Sequence, residues 1–224
     1  MNNTNQQLFA IYQNISIFYK YRNLVSLDEE LTQSEFAKKI RKDKYVLLSA
    51  VSDSHTDDIQ TITKYMGNYN EKSSIKNIRV FNILLIYPGT DCETKRANMM
   101  KFVNHVRYPK ADIMIITSTK ISNSVIKGLT ALSHSKEHKH HSFCAYTYNL
   151  LTSIVPEFEL APRYEILNTT DAAEHDVDTL PKIWETDPQM VWLGAIVGQV
   201  IKVTYLSETT IHGINYRVVI PPMD

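Results

Sequence analysis

Two short apolar runs limit what this chain can fold into more than any other feature. Residues 79–87 read Arg-Val-Phe-Asn-Ile-Leu-Leu-Ile-Tyr and stop at Pro88-Gly89, and Asp112 to Thr117 reads Asp-Ile-Met-Ile-Ile-Thr. Neither run alternates apolar with polar residues, so neither can turn one face to water. Strands of this kind are buried on both faces and need cover above and below the sheet. The expected cover is helical. Lys95–Val106 puts Met99, Phe102, Val103 and Val106 on its inner side, and Ser122–Leu132 follows the second run. Strand, helix, strand, helix implies a compact α/β domain with a mixed sheet. Both runs are far too short to span a bilayer.

Ahead of these strands, Leu8, Ile11, Tyr12, Ile15, Phe18 and Tyr19 recur at helical spacing and predict an amphipathic helix over Leu8–Tyr21. Thr32 with Glu35 three residues on is a capping box for a helix through Ile40, and Leu31 with Phe36 could form the hydrophobic staple. Tyr45–Val51 reads as a strand. Ser52–Ser74 reads as loop, with a helix near Ile59–Met66. The tract Ser133–Ser142 reads as a solvated loop, and Phe143–Tyr148 resumes strand character. Tyr148–Val155 either continues that strand or turns. Pro156 marks the boundary between an N-terminal domain, 1–155, and a C-terminal domain, 156–224.

The second domain is written in local signals. Asn168, Thr169 or Thr170 can cap a brief helix through Ala173. Pro181 keeps Leu180-Pro181-Lys182-Ile183 extended. Asp187 before Pro188 starts a helix, and Gly194 stops it almost at once. Val197-Gly198 is a turn, Gln199–Leu206 a strand, Ser207-Glu208-Thr209 a break, and Ile214–Ile220 a second strand. The fold class for the whole chain is therefore α+β: an α/β domain with a mixed sheet, then a small α+β unit.

The formal net charge is zero, but its distribution is uneven. Residues 94–139 carry nine Lys/Arg against two Asp/Glu, and residues 140–224 carry four against eleven. A basic middle and an acidic end suit two kinds of partner, or each other. Cys92 and Cys144 stand far apart in no metal-type spacing, which points to a reducing compartment. The polar start of the chain offers no signal peptide. His134, His138, His140 and His141 invite a metal reading, but no cysteine or carboxylate frames them at ligand spacing, so no metal or other cofactor is expected. No membrane partner and no small-molecule substrate is implied.

Neither a phosphate loop, a G-x-S-x-G nor an H-E-x-x-H occurs. The alternative classes are a metal-dependent nuclease, with Asp91 and Asp112 at strand ends as its acids, and a free-standing DNA-binding protein. Magnesium-dependent cleavage by the isolated chain marks the first, and tight DNA binding without other proteins marks the second. The helix opening at Ser122-Asn123-Ser124, flanked by Lys120 and Lys127, suits a phosphate. It reads equally well as an ordinary capped helix.

The order of the C-terminal signals carries a resemblance. Leu180-Pro181-Lys182-Ile183, Asp187-Pro188, a helix ending at Gly194, Gly198-x-Val200-x-Lys202-Val203, Ser207-Glu208-Thr209 and Tyr216-Arg217 together resemble the small common subunit of cellular RNA polymerases. This is the fifth subunit, shared by nuclear polymerases I, II and III, and it has an archaeal counterpart. Leu160-Ala161-Pro162-Arg163-Tyr164 is similar to that family's L-V-P-K-H segment. The helix pair ending Tyr21-Arg22-Asn23-Leu24 and opening Leu31-Thr32 resembles its start. Val191-Trp192-Leu193-Gly194 and the wider drift point to a large-DNA-virus member.

The resemblance implies a non-catalytic subunit with a jaw domain and an assembly domain. The assembly domain would dock on the largest polymerase subunit through the motif residues just named, beside other polymerase subunits. Ser122-Asn123-Ser124-Val125-Ile126-Lys127 occupies the place of the family's T-P-S-A-M-K segment, which lies beside downstream DNA. The jaw would meet that duplex weakly and without base preference. The brief helix after Asn168 is shorter than in cellular relatives. A viral member would work in host cytoplasm or virion, a cellular one in the nucleus.

Overall fold

A computed structural model describes residues 3–58, 78–90, 110–133, 141–207 and 211–222. The chain divides into two compact units, Met1–Thr152 and Ser153–Asp224, and both are α+β with a mixed sheet.

The first unit opens with α1, Asn3–Tyr21, and all six periodic apolar residues lie on its buried side. The helix starts ahead of that periodicity. Its polar first turn is held by Asn5, buried with its amide oxygen facing Arg41 (2.6 Å to Nη2). Strand β1, Leu24–Ser26, leads to helix α2, Gln33–Asp43. The capping box is formed: Thr32 Oγ1 accepts from the Glu35 amide (3.4 Å) and Glu35 Oε2 from the Thr32 amide (2.9 Å). Lys44 closes α2 in the left-handed region (φ 66°), its N–H on the Ile40 carbonyl.

Strands β2 (Tyr45–Ser52), β3 (Val80–Ile86), β4 (Ala111–Thr117) and β5 (His141–Thr147) join β1 in sheet order β1-β2-β3-β4-β5. The first three pair antiparallel, and β3, β4 and β5 run parallel. Register shows why the apolar runs do not alternate. Leu84 stands beside Ile115 on the face that packs on Val125 and Leu129 of helix α3, Asn123–Ser133. Phe81, one step off, faces the other way, its ring 6.2 Å from Phe18 and 6.3 Å from Tyr19 of α1. The polar interruption Asn82 is satisfied inside: it accepts from Ser49 Oγ (2.9 Å) and donates to the Val80 carbonyl (3.1 Å).

One expectation changes here, and one open alternative is decided. Strand β5 begins at His141, because Ala111 and Asp112 pair with His141 and Ser142, residues assigned to loop from sequence. After Thr147 the chain turns. Tyr148 donates its hydroxyl to the Ile86 carbonyl, and helix α4, Asn149–Thr152, follows. The helices expected over Ile59–Met66 and Lys95–Val106 lie outside the described residues, as do His134, His138 and His140.

In the second unit Pro156 lies in a 3-10 turn, Val155–Glu157. Strand β6 (Arg163–Ile166), helix α5 (Thr169–Ala172, capped by Asn168), β7 (Lys182–Trp184), helix α6 (Pro188–Leu193), β8 (Val200–Ser207) and β9 (Ile211–Ile220) follow. Sheet order is β6-β8-β9-β7, with β7 and β9 parallel. The hairpin pairs as far as Ser207 with Ile211, so Ser207 belongs to the strand and β9 starts earlier than Ile214. One sheet face, with Ile183, Ile201, Val203 and Val219, packs on Met190 and Leu193 of α6.

Candidate functional site

The motif residues of the second unit divide into those that shape the backbone and those that face outward. Asp187 Oδ1 accepts from the Gln189 amide (2.9 Å) and Pro188 takes the first helical position, where no N–H is needed. Gly194 (φ 71°) and Gly198 (φ 91°) hold the helix stop and the turn in a conformation that favours glycine. The Gly198 N–H bonds the Val219 carbonyl (2.9 Å), and the Pro181 carbonyl accepts from Val218 (3.0 Å). Ile183 is core, while Pro181, Lys182 and Pro188 are exposed and Leu180 is half-buried.

The Tyr216 ring lies tilted against His175, ring centroids 4.0 Å apart. Arg217 pairs with Ile201, well away from the hairpin turn. Burial and the Asp187 carboxylate push the Tyr164 phenol up, and Arg217 pulls against them. Ser207 ends β8, and Glu208 and Thr209 lie outside the described residues.

Sequence reasoning missed the apolar side chains that this unit leaves in water. Trp184 is 47% exposed, Ile196 58% and Val197 48%. Pairing brings them to one end of the sheet: Trp184 stands beside Ile220, and Gly198 ties the Ile196-Val197 turn to Val219. At the hairpin end Ile214 and Tyr205 are also exposed, and a Cβ on Gly213 would collide with the Tyr205 ring. Among the described residues of the first unit, Ile126 is the large apolar side chain left exposed. The available signal was alternation: Trp184 directly follows the inward Ile183 and so must point out.

In the first unit Lys120, Ser122, Asn123, Ser124 and Lys127 are all exposed around the start of α3. The Ser122 carbonyl accepts from Val125 (3.0 Å) and Ile126 (3.1 Å), which makes Ser122 the cap. Its hydroxyl bonds Ser124 Oγ at 2.9 Å instead of a helix amide. Buried Ile121, Val125 and Leu129 anchor the helix below. This terminus follows the carboxyl end of β4, where crevices form beside parallel strands. A positive helix end between two lysines favours an anion of any sequence.

Asp112 lies toward the other end of β4. Arg79 grips both its oxygens, Nε at 2.6 Å and Nη2 at 2.5 Å, and the Ser142 hydroxyl donates to it. Burial alone would raise its pKa. The hydrogen bonds from Arg79 and Ser142, with the charges of Arg79 and Arg22, outweigh burial and hold the carboxyl below its usual range. A carboxylate so engaged is a poor metal ligand, and Asp91 lies outside the described residues. Among the described residues no three His, Cys, Asp or Glu side chains converge as a metal site.

This pair gives an acid-sensitivity prediction. A depressed folded pKa stabilises the fold above the ordinary carboxylate value of about 4, and the gain is lost as pH falls through the folded value. Asp112→Asn should cost about 1 kcal/mol or less at pH 7, because both partners are partly solvated, and less at pH 2. Urea unfolding at the two pH values measures it. An equal loss at both would mean that packing, not charge, is responsible.

The family model for RNA polymerase Rpb5, C-terminal domain, matches residues 151–219. The DNA-directed RNA polymerase RPB5 homolog of African swine fever virus (isolate Tick/South Africa/Pretoriuskop Pr4/1996) is 22% identical over 219 residues, 95% of either chain. The DNA-directed RNA polymerase subunit Rpo5 of Methanosarcina barkeri is 36% identical over 66 residues, 30% of this chain and 85% of the relative. That of Methanocaldococcus jannaschii is 36% identical over 67 residues, 30% and 86%.

Proposed function

The chain belongs to the RNA polymerase Rpb5 family, a subunit of a multisubunit DNA-directed RNA polymerase, and from that premise we propose that it acts by position and carries no active site of its own. Its partners are other polymerase subunits. The viral relatives span most of the chain, which supports viral transcription as its setting, inside the infected cell or in the virion.

In this reading residues 156–224 form the assembly domain, docked on the largest subunit, and residues 1–155 form a jaw beside the entering duplex. One observation carries the docking: among the described residues, the large apolar side chains left in water are concentrated in the second unit. Patches of that kind mark interaction surfaces. A tagged full-length chain, recovered from cells that make it, should bring the largest polymerase subunit with it. Recovery of nuclease activity or of DNA without polymerase subunits would favour the other classes.

The jaw assignment rests on the basic excess of residues 94–139 and on the α3 terminus. Phosphate contacts act chiefly through counterion release, so their signature is salt dependence without base preference. Lys120→Ala with Lys127→Ala should shorten the lifetime of the polymerase–DNA complex, more at low salt, by about 1 kcal/mol or less per contact. Subunit association should not change. A lifetime unaffected at every salt concentration would remove this surface from the DNA path.

A further inference from the structure

The sheet of the first unit gathers at one edge charges that lie far apart in the sequence. Strands β3, β4 and β5 run parallel, and the antiparallel β2 begins where they end: Tyr45 stands beside Ile86, Leu85 beside Ile116 and Thr117 beside Thr147. The end of α2, Lys42 to Lys44, therefore comes to the same edge as Lys120 and the start of α3. Over residues 42–45, 86–90, 117–127 and 147–149, four lysines, Lys42, Lys44, Lys120 and Lys127, stand against one carboxylate, Asp43. All four lysines are exposed, as are Thr119, Ser122 and Ser124, and the one large apolar side chain exposed among these residues is Ile126. At the usual strand spacing the backbone of Lys44 lies about 10 Å across the sheet from the end of β4.

Lys44 is the unexpected member of this row. Its backbone sits in the left-handed region (φ 66°), which costs an L side chain and which glycine usually supplies at the end of a helix. Its carbonyl accepts from the Tyr87 amide (2.9 Å), and its ammonium lies 5.6 Å from the centre of the Tyr87 ring. A cation at that distance is attracted to the aromatic face, so the ring holds the charge at the edge.

We propose that this edge binds the phosphate backbone of duplex DNA, with Lys44 as a second anchor beside the α3 terminus. The inference rests on the jaw reading above and adds a segment outside the basic stretch 94–139 on which that reading stands. Duplex DNA carries one charge per about 1.7 Å of axis, so a row about 10 Å long faces a stretch with about six phosphate charges whatever the base sequence. Cations and hydroxyls with little apolar surface suit phosphates, whereas the core of a protein interface is apolar.

The left-handed backbone supplies the test, made on the assembled polymerase with a duplex of arbitrary sequence. Lys44→Gly removes the charge and the strain together, so the free chain should keep or gain Tm while the polymerase binds DNA severalfold more weakly at low salt. One phosphate contact is worth a salt slope of about 0.9, so between roughly 50 and 200 mM salt the parent should lose about threefold more affinity than the variant. Lys44→Asn, which also tolerates this conformation, should match glycine, and Lys44→Arg should keep the parent's slope. Lys39→Ala, an equal loss of charge on the side of α2 that acts on Asp28, should leave the slope unchanged. A Lys44→Gly polymerase with the parent's affinity and slope overturns this contact. If Lys120→Ala with Lys127→Ala still weakens binding, the jaw reading survives that loss. Equal weakening by Lys39→Ala also overturns the contact, since a diffuse field is then at work. No effect of any of these variants at any salt concentration overturns the jaw reading and this proposal together.

Discussion

Aspartate at Trp184 and Ile196 together should strip the protein from its polymerase while the free chain stays folded. Trp184 is 47% exposed at the end of β7 and Ile196 58% exposed in the turn after α6. Neither contributes to the core of the second unit, so substitution there should move its stability by about 0.5 kcal/mol at most. In an assembled interface the same positions become expensive. A tryptophan anchor carries about 2 kcal/mol or more, and an unpaired carboxylate forced into a desolvated contact adds a penalty of its own. Retention on tagged largest subunit should drop to less than about a tenth of the parent level, given the factor of ten per 1.4 kcal/mol. Ile126→Asp, an equally crude change at an exposed apolar side chain of the first unit, should retain the polymerase. Undiminished binding by the double variant would mean that docking uses another surface.

Local signals were legible in the sequence because they act within a few residues. Thr32 with Glu35, Asp187 with Pro188, and the positive φ of Gly194 and Gly198 appear in the structure as the residue types require. The absence of alternation in β3 and β4 likewise sufficed to require cover on both faces. Strand ends were not legible. His141 and Ser142 look like the tail of a polar loop, and the backbone of Ala111 and Asp112 makes them strand. Ile211 to Gly213 look like the far side of a break, and the ladder with Ser207, Leu206 and Tyr205 carries the strand through them. In each case the deciding partner sits across the sheet.

The same distinction runs through the candidate surfaces. The serine cap and flanking lysines of α3 are contiguous and could be read directly. The Arg79–Asp112–Ser142 cluster joins the residue just before β3 to β4 and β5, and its change from candidate metal ligand to ion pair appears only once the three strands are in register. The motif Leu180-Pro181-Lys182-Ile183 marks a strand with inward and outward residues, and the motif does not say which is which. Pairing with β9 puts Ile183 in the core and Trp184 outside. Tyr19 was assigned to the buried side of α1, and it is buried. Among the described residues its hydroxyl has no hydrogen-bond partner, and no helical period encodes that.

The converse of the docking experiment is a lesion in the core of the first unit. Phe36→Ala should destabilise that unit by about 3–5 kcal/mol, the usual loss for a buried phenylalanine. Phe36 is fully buried on α2, its ring 5.6 Å from Phe9 and 5.0 Å from Tyr12 on α1, so truncation opens the seam between the two helices. Tyr12 also accepts the Leu31 amide through its hydroxyl (2.8 Å), and loosening its ring weakens the entry to α2 just ahead of the capping box. The residual cap is too small to compensate, since a capping side chain contributes only about 1 kcal/mol. Urea unfolding followed by helical circular dichroism should show the loss. If docking belongs to residues 156–224, the variant should still bring down the largest subunit at temperatures where the parent does. Trp184 with Ile196 replaced by aspartate should do the reverse, keeping stability and losing association. Loss of association in both variants at matched folded fraction would mean that the first unit shares the docking surface.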